Sequence, residues 1–184
     1  MAHIISLTGD LGSGKSTVSD ILCKELNYDY IYTGKIQRAI AERLGMSTTE
    51  LNKYSESHPE IDEEIDSTFK SLNDAKDLIV DSRLAWFFIP DSFKVYMKTE
   101  PEVSAQRIIN DKVRKNESYL SLEEAMRNIQ ERKSSENKRY KELYNADCAD
   151  MNNFDLVVDT SYISPQEVAG IILKEYENWK SKMN

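Results

Sequence analysis

The sequence predicts an α/β fold, a three-layer α/β/α sandwich on a five-stranded parallel sheet. Three observations predict it. Five short apolar runs, at residues 3–8, 28–32, 77–83, 94–98 and 155–159, read as strands. Segments with apolar residues at helical spacing separate them, and strands alternating with helices call for a parallel sheet covered on both faces. Between the first strand and the first helix lies Gly9-Asp10-Leu11-Gly12-Ser13-Gly14-Lys15-Ser16, which fits the phosphate-loop pattern G-x-x-x-x-G-K-S/T in the place where such a loop must lie.

The elements follow in order. His3 to Thr8 forms the first strand, and Val18, Ile21, Leu22 and Leu26 mark the buried face of the first helix. Cys23 falls among these apolar positions and reads as a small core residue. Tyr28 to Tyr32 is the second strand. Thr33-Gly34 opens a helix carrying Ile36, Ala39, Ile40 and Leu44; Gly45 ends it, and Ser47-Thr48-Thr49-Glu50 supplies a new N-cap. Residues 47–76 are polar, with Leu51, Ile61, Ile65, Phe69 and Leu72 at roughly helical spacing, so they read as a mostly exposed helical insert. Asp77 to Arg83 and Lys94 to Lys98 are the third and fourth strands. Pro101 stands at a helix start. Ser121 to Glu124 is a capping box for a long helix. Asp155 to Asp159 is the last strand, and Ser164-Pro165 starts a closing helix that runs to about Trp179.

Composition narrows the classes. The 184 residues suffice for one α/β domain with a sizeable core. Hydrophobic residues make up 40% and the net charge is −8, so neither nucleic acid nor an anionic membrane is expected as partner; phosphate backbones need a basic face. Cys23 and Cys148 belong to no C-x-x-C pair, which excludes a disulfide framework and a zinc site from the expectations. The sequence shows no secretory apolar core and no apolar span of about 18 residues. The expectation is a cytoplasmic protein acting on small molecules.

The phosphate loop carries the chemistry. Its glycines allow a tight turn and a close approach of backbone N–H groups to phosphate oxygens, and the helix N-terminus favours an anion. Residues Gly9 to Thr17 are the candidate triphosphate-binding set. Lys15 supplies a compact cation for the β- and γ-phosphates, and the Ser16 hydroxyl suits Mg²⁺, with Thr17 beside it.

Basic residues further along suit a second substrate. Arg132, Glu136 and Arg139 fall within roughly 60° of one another on a helix turning about 100° per residue. The surrounding run, Gln130 to Glu142, has Tyr140 as its one apolar residue. That segment reads either as a solvated helix laced with ion pairs or as an arginine-bearing flap over the phosphate loop, which phosphoryl transfer needs. Arg83 closes the third strand, where ligands meet such sheets, and Asp81 points to the same side, a candidate magnesium-orienting carboxylate. Arg38, one turn into the helix opened by Thr33-Gly34, reads either as a surface arginine or as a group placed to meet an anion at that end of the sheet, and Lys35 is a weaker candidate at the same spot. His3 and His58 have no partner at ligand spacing. Asp147 and Asp150 read as loop caps, Trp86-Phe87-Phe88 as core or pocket wall, and Tyr28, Tyr30 and Tyr32 as strand and pocket-edge packing.

Phosphate loop, Tyr32-Thr33-Gly34 with Arg38, Asp81-Ser82-Arg83-Leu84-Ala85, Glu131-Arg132 through Glu136 to Arg139-Tyr140, and Phe154-Asp155-Leu156-Val157-Val158-Asp159-Thr160 occur in this order. Together they resemble the cytidylate kinase family, in its archaeal-type and cytidylate kinase-like branch. The resemblance spans nearly the whole chain and is weakest over residues 45–76. It implies a P-loop nucleoside monophosphate kinase: one domain over residues 1–184, with an acceptor-binding insert at about 34–76 and a lid at about 127–142. It implies ATP and Mg²⁺, with CMP or dCMP as the first acceptor to consider. By the same resemblance Gly34, Arg38, Asp81, Arg83 and Glu136 belong to the acceptor side, with Arg38 and Arg83 on its phosphate, and Arg132 and Arg139 clamp the transferring group. Common bacterial members carry an acidic residue after the strand-end arginine; Leu84 stands there. A kinase of another small metabolite and a non-transferase nucleotide switch are the alternatives. The switch motif Asn-Lys-x-Asp is not completed at Asn52-Lys53 or Asn137-Lys138.

Overall fold

Five parallel strands form the centre of the molecule: β1 (Ile4–Gly9), β2 (Asp29–Tyr32), β3 (Leu78–Asp81), β4 (Phe93–Lys98) and β5 (Leu156–Asp159), in the order β2-β3-β1-β4-β5. The computed structural model describes residues 3–46, 48–55, 57–111 and 119–183. Eight α-helices are found among the described residues: α1 (Lys15–Leu26), α2 (Thr33–Leu44), α3 (Thr48–Ser55), α4 (Pro59–Lys70), α5 (Ala85–Phe88), α6 (Pro101–Asn110), α7 (Leu122–Tyr144) and α8 (Pro165–Met183).

The strands read as continuous apolar runs because both faces of the sheet are covered. Successive side chains alternate between two cores. Ile4, Leu78, Val80 and Tyr96 join the core under α2–α5, with Ala146, Cys148 and Phe154. Ile5, Leu7, Ile79, Phe93, Val95 and Met97 join the core under α1 and α8, where Val18, Leu22, Ile172 and Tyr176 meet them.

Helix ends follow their local signals. Gly45 ends α2 at φ 68° and donates to Ala41 and Glu42, while the Met46 N–H reaches Ala41, so the orphan carbonyls of the last turn are satisfied. The Ser121 hydroxyl accepts from the Glu124 N–H at 3.1 Å, but the Glu124 carboxylate reaches back to the Leu120 N–H at 2.6 Å rather than to Ser121. A full capping box opens α8: Ser164 and Glu167 exchange bonds at 2.8 and 3.2 Å. Ser47, expected as an N-cap, lies outside the described residues. Asp147 and Asp150 cap loop amides of Ala149 and Asn152.

The insert over 47–76 is amphipathic at the predicted spacing: Leu51, Ile61, Ile65 and Phe69 are buried, Phe69 to 1% exposure, and most of its other described residues are exposed or partly exposed. The polar residues that dominate its composition lie on the outer faces of α3 and α4, and a stripe of four apolar side chains suffices to bury the inner one. The closing helix also runs past Trp179 to Met183. Cys23 is half-buried against the α1–α8 core.

Candidate active site

The carboxyl ends of β1, β2, β3 and β5 open into one cleft of about 850 Å³. Gly9 ends β1 at φ 155°, and a Cβ there would stand 2.3 Å from the Met97 carbonyl oxygen; Gly12, at φ 71°, would place one 2.8 Å from the Ser104 carbonyl. Neither position accepts a side chain, so the loop lies flush against β4 and α6.

What shapes the loop is its own Lys15 together with a set of donors from elsewhere in the chain. The Gly9 carbonyl accepts from Lys15 Nζ and Arg83 Nη1, each at 3.1 Å. The Asp10 carbonyl accepts from Lys15 at 3.0 Å. The Ser104 hydroxyl donates to the Leu11 carbonyl, Arg107 to Gly12 at 3.2 Å, and the Thr160 hydroxyl to Ser13 at 3.0 Å. A peptide N–H points opposite to the carbonyl of the preceding residue. Holding the carbonyls of Leu11 and Ser13 outward therefore turns the N–H groups of Gly12 and Gly14 toward the concave side, where phosphate oxygens would lie. Arg107 also donates to the carbonyls of Thr160 and Ser161 at 2.7 and 3.2 Å, which locks the β5–α8 connection to the loop.

Across the cleft stands α7. Arg132, Glu136 and Arg139 all line it, as the helical spacing predicts. Glu136 bridges two arginines, accepting from Arg132 Nε at 2.9 Å and sitting 3.0 Å from Arg83 Nε. The second contact is an ion pair not aligned as a hydrogen bond. One residue beyond Arg132, Lys133 pairs with Asp10 at 2.7 Å. Asp10 turns its carboxylate away from the cleft into the protein, where it also accepts from the Tyr96 hydroxyl at 2.8 Å and the Thr99 N–H at 3.0 Å. Burial alone would raise its carboxyl; Lys133, Thr99 and Tyr96 together hold it below the usual carboxylate value.

The far end of the cleft is lined by α4 and α7, through Asp62, Ile65, Asp66, Phe69, Tyr140 and Tyr144. Asp66 accepts from the Tyr144 hydroxyl. Burial raises its carboxyl above the usual range, against the pull of that bond. Arg38 is not part of the cleft lining; its guanidinium packs 5.1 Å from the Tyr32 ring centroid and donates to the Tyr32 hydroxyl, while Gln37 lines the cleft instead. Gly34 and Arg83 do line it.

Magnesium needs no protein cage: it takes one or two protein oxygens and completes its shell with phosphate and water. No cluster of three His, Cys, Asp or Glu side chains suited to a metal ion occurs among the described residues. The Ser16 hydroxyl and the Asp81 carboxylate line the same cleft and fit that smaller donor set. Burial pushes the Asp81 carboxyl up, opposed by Lys15, the Tyr30 hydroxyl at 3.2 Å, and Arg83.

Sequence reading missed Ser104, Arg107, Thr160, Lys133, Asp62 and Asp66. Thr160 follows a strand end, a position that ligand-binding sheets use, so a signal existed for it. The remaining five sit on helices whose spacing records only which face is apolar.

Residues 4–162 match the cytidylate kinase-like family. A cytidylate kinase of Methanopyrus kandleri is 38% identical over 180 residues, covering 92% of this chain and 90% of that protein. A cytidylate kinase of Thermoplasma volcanium is 34% identical over 183 residues, covering 97% and 93%. Among solved structures, shikimate kinase from Bacteroides thetaiotaomicron superposes with a TM-score of 0.67 at 15% identity, covering 95% of this chain and 98% of that one; at that identity the likeness is one of fold. No described helix is long and apolar enough to cross a membrane. With its family matched over most of its length and its phosphate loop shaped as described, the chain belongs to the cytidylate kinase-like family.

Proposed function

We propose that the protein transfers the γ-phosphoryl group of ATP to the phosphate of a nucleoside monophosphate, with CMP or dCMP as acceptor. One observation carries the reading: Arg132 and Arg139 from α7, and Arg83 from the end of β3, line the same cleft as the phosphate loop. Charge on a transferring phosphoryl group is matched from both sides in that arrangement. An acceptor phosphate oxygen is itself an adequate nucleophile, so no general base is required. The residues would position and neutralise: loop amides and Lys15 on the donor triphosphate, Arg83 on the acceptor phosphate, Arg132 and Arg139 on the group in flight. Mg²⁺, held by Ser16 and Asp81, would supply the further positive charge that phosphoryl transfer uses.

Residues 34–76 would form the acceptor side and residues 127–142 the lid. The names of the archaeal relatives support cytosine as the base. The acceptor end is compatible with it: Asp62 and Asp66 line it, and carboxyl groups suit an exocyclic amino group, which uracil and thymine lack. With Leu84 buried at 3% exposure where common bacterial relatives carry an acid, α4 supplies two carboxyls to that end of the cleft.

The test is an ATP-consumption screen with Mg²⁺ against all common nucleoside monophosphates and a set of hydroxyl-bearing metabolites. The expected result is the highest kcat/KM on CMP or dCMP. Preferred transfer to a non-nucleotide, or hydrolysis with no transfer to any acceptor, would overturn the reading.

A further inference from the structure

Asp10 is an unexpected residue for its place. A carboxylate in a loop that must hold a triphosphate opposes the ligand's charge, and nothing in phosphate binding calls for one. Its partners show what it is tied to. Tyr96 and the Thr99 N–H anchor it to the end of β4, and Lys133 reaches it from α7, 123 residues away in sequence. Three residues on, and so on the same helix face, Glu136 meets Arg83, which itself donates to the Gly9 carbonyl. The lid helix is thus tied to the first two residues of the phosphate loop at two points one turn apart. Arg132 immediately precedes Lys133, and Arg139 lies six residues beyond, so the rotation of α7 fixed at Lys133 fixes where both guanidinium groups point.

We propose that Lys133 is a positioning residue of the transfer reaction, setting the rotation of the lid helix through its pair with Asp10 so that Arg132 and Arg139 face the cleft. The pair acts through geometry, before and during turnover, and is not a contact to substrate. The inference rests on the reading of this cleft as a phosphoryl-transfer site.

Three variants test it: Lys133→Met, Lys133→Arg and Asp10→Asn, each measured by steady-state kinetics with ATP and the preferred acceptor, and by amide hydrogen exchange of residues 127–142 in the full-length protein without nucleotide. Lys133 is one-third exposed, so its replacement leaves the core intact. Lys133→Met is expected to lower kcat at least about tenfold while the KM for ATP moves less than about threefold. Lys133→Arg is expected to restore most of the rate. Asp10→Asn is expected to match Lys133→Met, with no further loss when the two are combined. Exchange over residues 127–142 is expected to quicken in Lys133→Met. Unchanged kcat, a loss confined to KM for ATP, additive losses in the double variant, or unchanged exchange would each overturn the proposal. Should the wild-type protein transfer to no acceptor, the kinase reading fails, and the exchange experiment alone decides whether Lys133 holds α7.

Discussion

In the phosphate loop, backbone carbonyls are held by buried and partly buried hydrogen bonds; on α7, side chains are held by ion pairs that run from largely buried, as at Glu136–Arg83 and Lys133–Asp10, to exposed. Carbonyls from Gly9 to Ser13 accept from Lys15, Arg83, Ser104, Arg107 and Thr160. Ser13 and Thr160 are exposed by only 2% each, so water cannot replace the bond between them. On α7, Arg132 is about half exposed in its pair with Glu136, and Lys138 more so in its pair with Glu142. Exposed pairs of this kind contribute roughly 0–1 kcal/mol. The comparison teaches where each kind of holding belongs. The loop proposed to cradle a triphosphate is shaped before any ligand arrives, mostly by donors that the fold brings from distant elements. The proposed lid combines one anchor, Lys133 on Asp10, with more exposed contacts such as Arg132 on Glu136 that a phosphate could replace at small cost.

The largest test of that contrast is Lys15→Ala. The ammonium is tied to the Gly9 and Asp10 carbonyls and is proposed to meet the triphosphate, so its loss is expected to lower kcat about 1,000-fold, about 4 kcal/mol of transition-state stabilisation; steady-state turnover checks it. Next comes Arg132→Ala, which is expected to lower kcat about 100-fold while ATP binding, measured by calorimetry, changes less than about threefold. Normal turnover in that variant would remove the lid from the account. A smaller effect is expected from Thr160→Val, which deletes the donor to the Ser13 carbonyl. About 1 kcal/mol of loop order is lost, so the KM for ATP should rise several-fold with kcat little changed. If kcat fell instead and KM held, the loop and the lid would not be divided as described.

The smallest effect concerns pH. Asp10 has its carboxyl held below the usual value of 3.8 in the folded protein. A depressed folded-state pKa stabilises the fold above the unfolded value and is lost as pH falls through the folded one. Urea unfolding followed from about pH 6 to about pH 3 should therefore show acid destabilisation that is shallower in Asp10→Asn than in the wild-type protein.

The distinction between the two regions also tracks what could be read in advance. Loop, strands and the Arg132–Glu136–Arg139 face are local patterns. A glycine-rich turn is fixed by its own backbone needs, a doubly buried strand by a run of apolar residues, and a helix face by a fixed angle per residue, so all were legible. Arg38 shows the limit of position alone. It lies in the expected turn of α2, and its guanidinium packs on Tyr32, a residue that lines the cleft, rather than lining the cleft itself. The insert shows the limit of composition. Within its polar majority only the helical spacing of Leu51, Ile61, Ile65 and Phe69 marked the face that completes a core.

By itself the sequence determined the sandwich, the phosphate loop at its leading edge and the arginines that oppose it, since each rests on residues close together in the chain. Only the tertiary structure decided what tightens that loop and what aims the lid. Ser104, Arg107 and Thr160 meet loop carbonyls from about 90 to 150 residues away, and Lys133 meets Asp10 from as far. A side chain that bonds a distant backbone atom leaves no period and no composition bias behind it, so its partner exists only once the sheet has brought the two together.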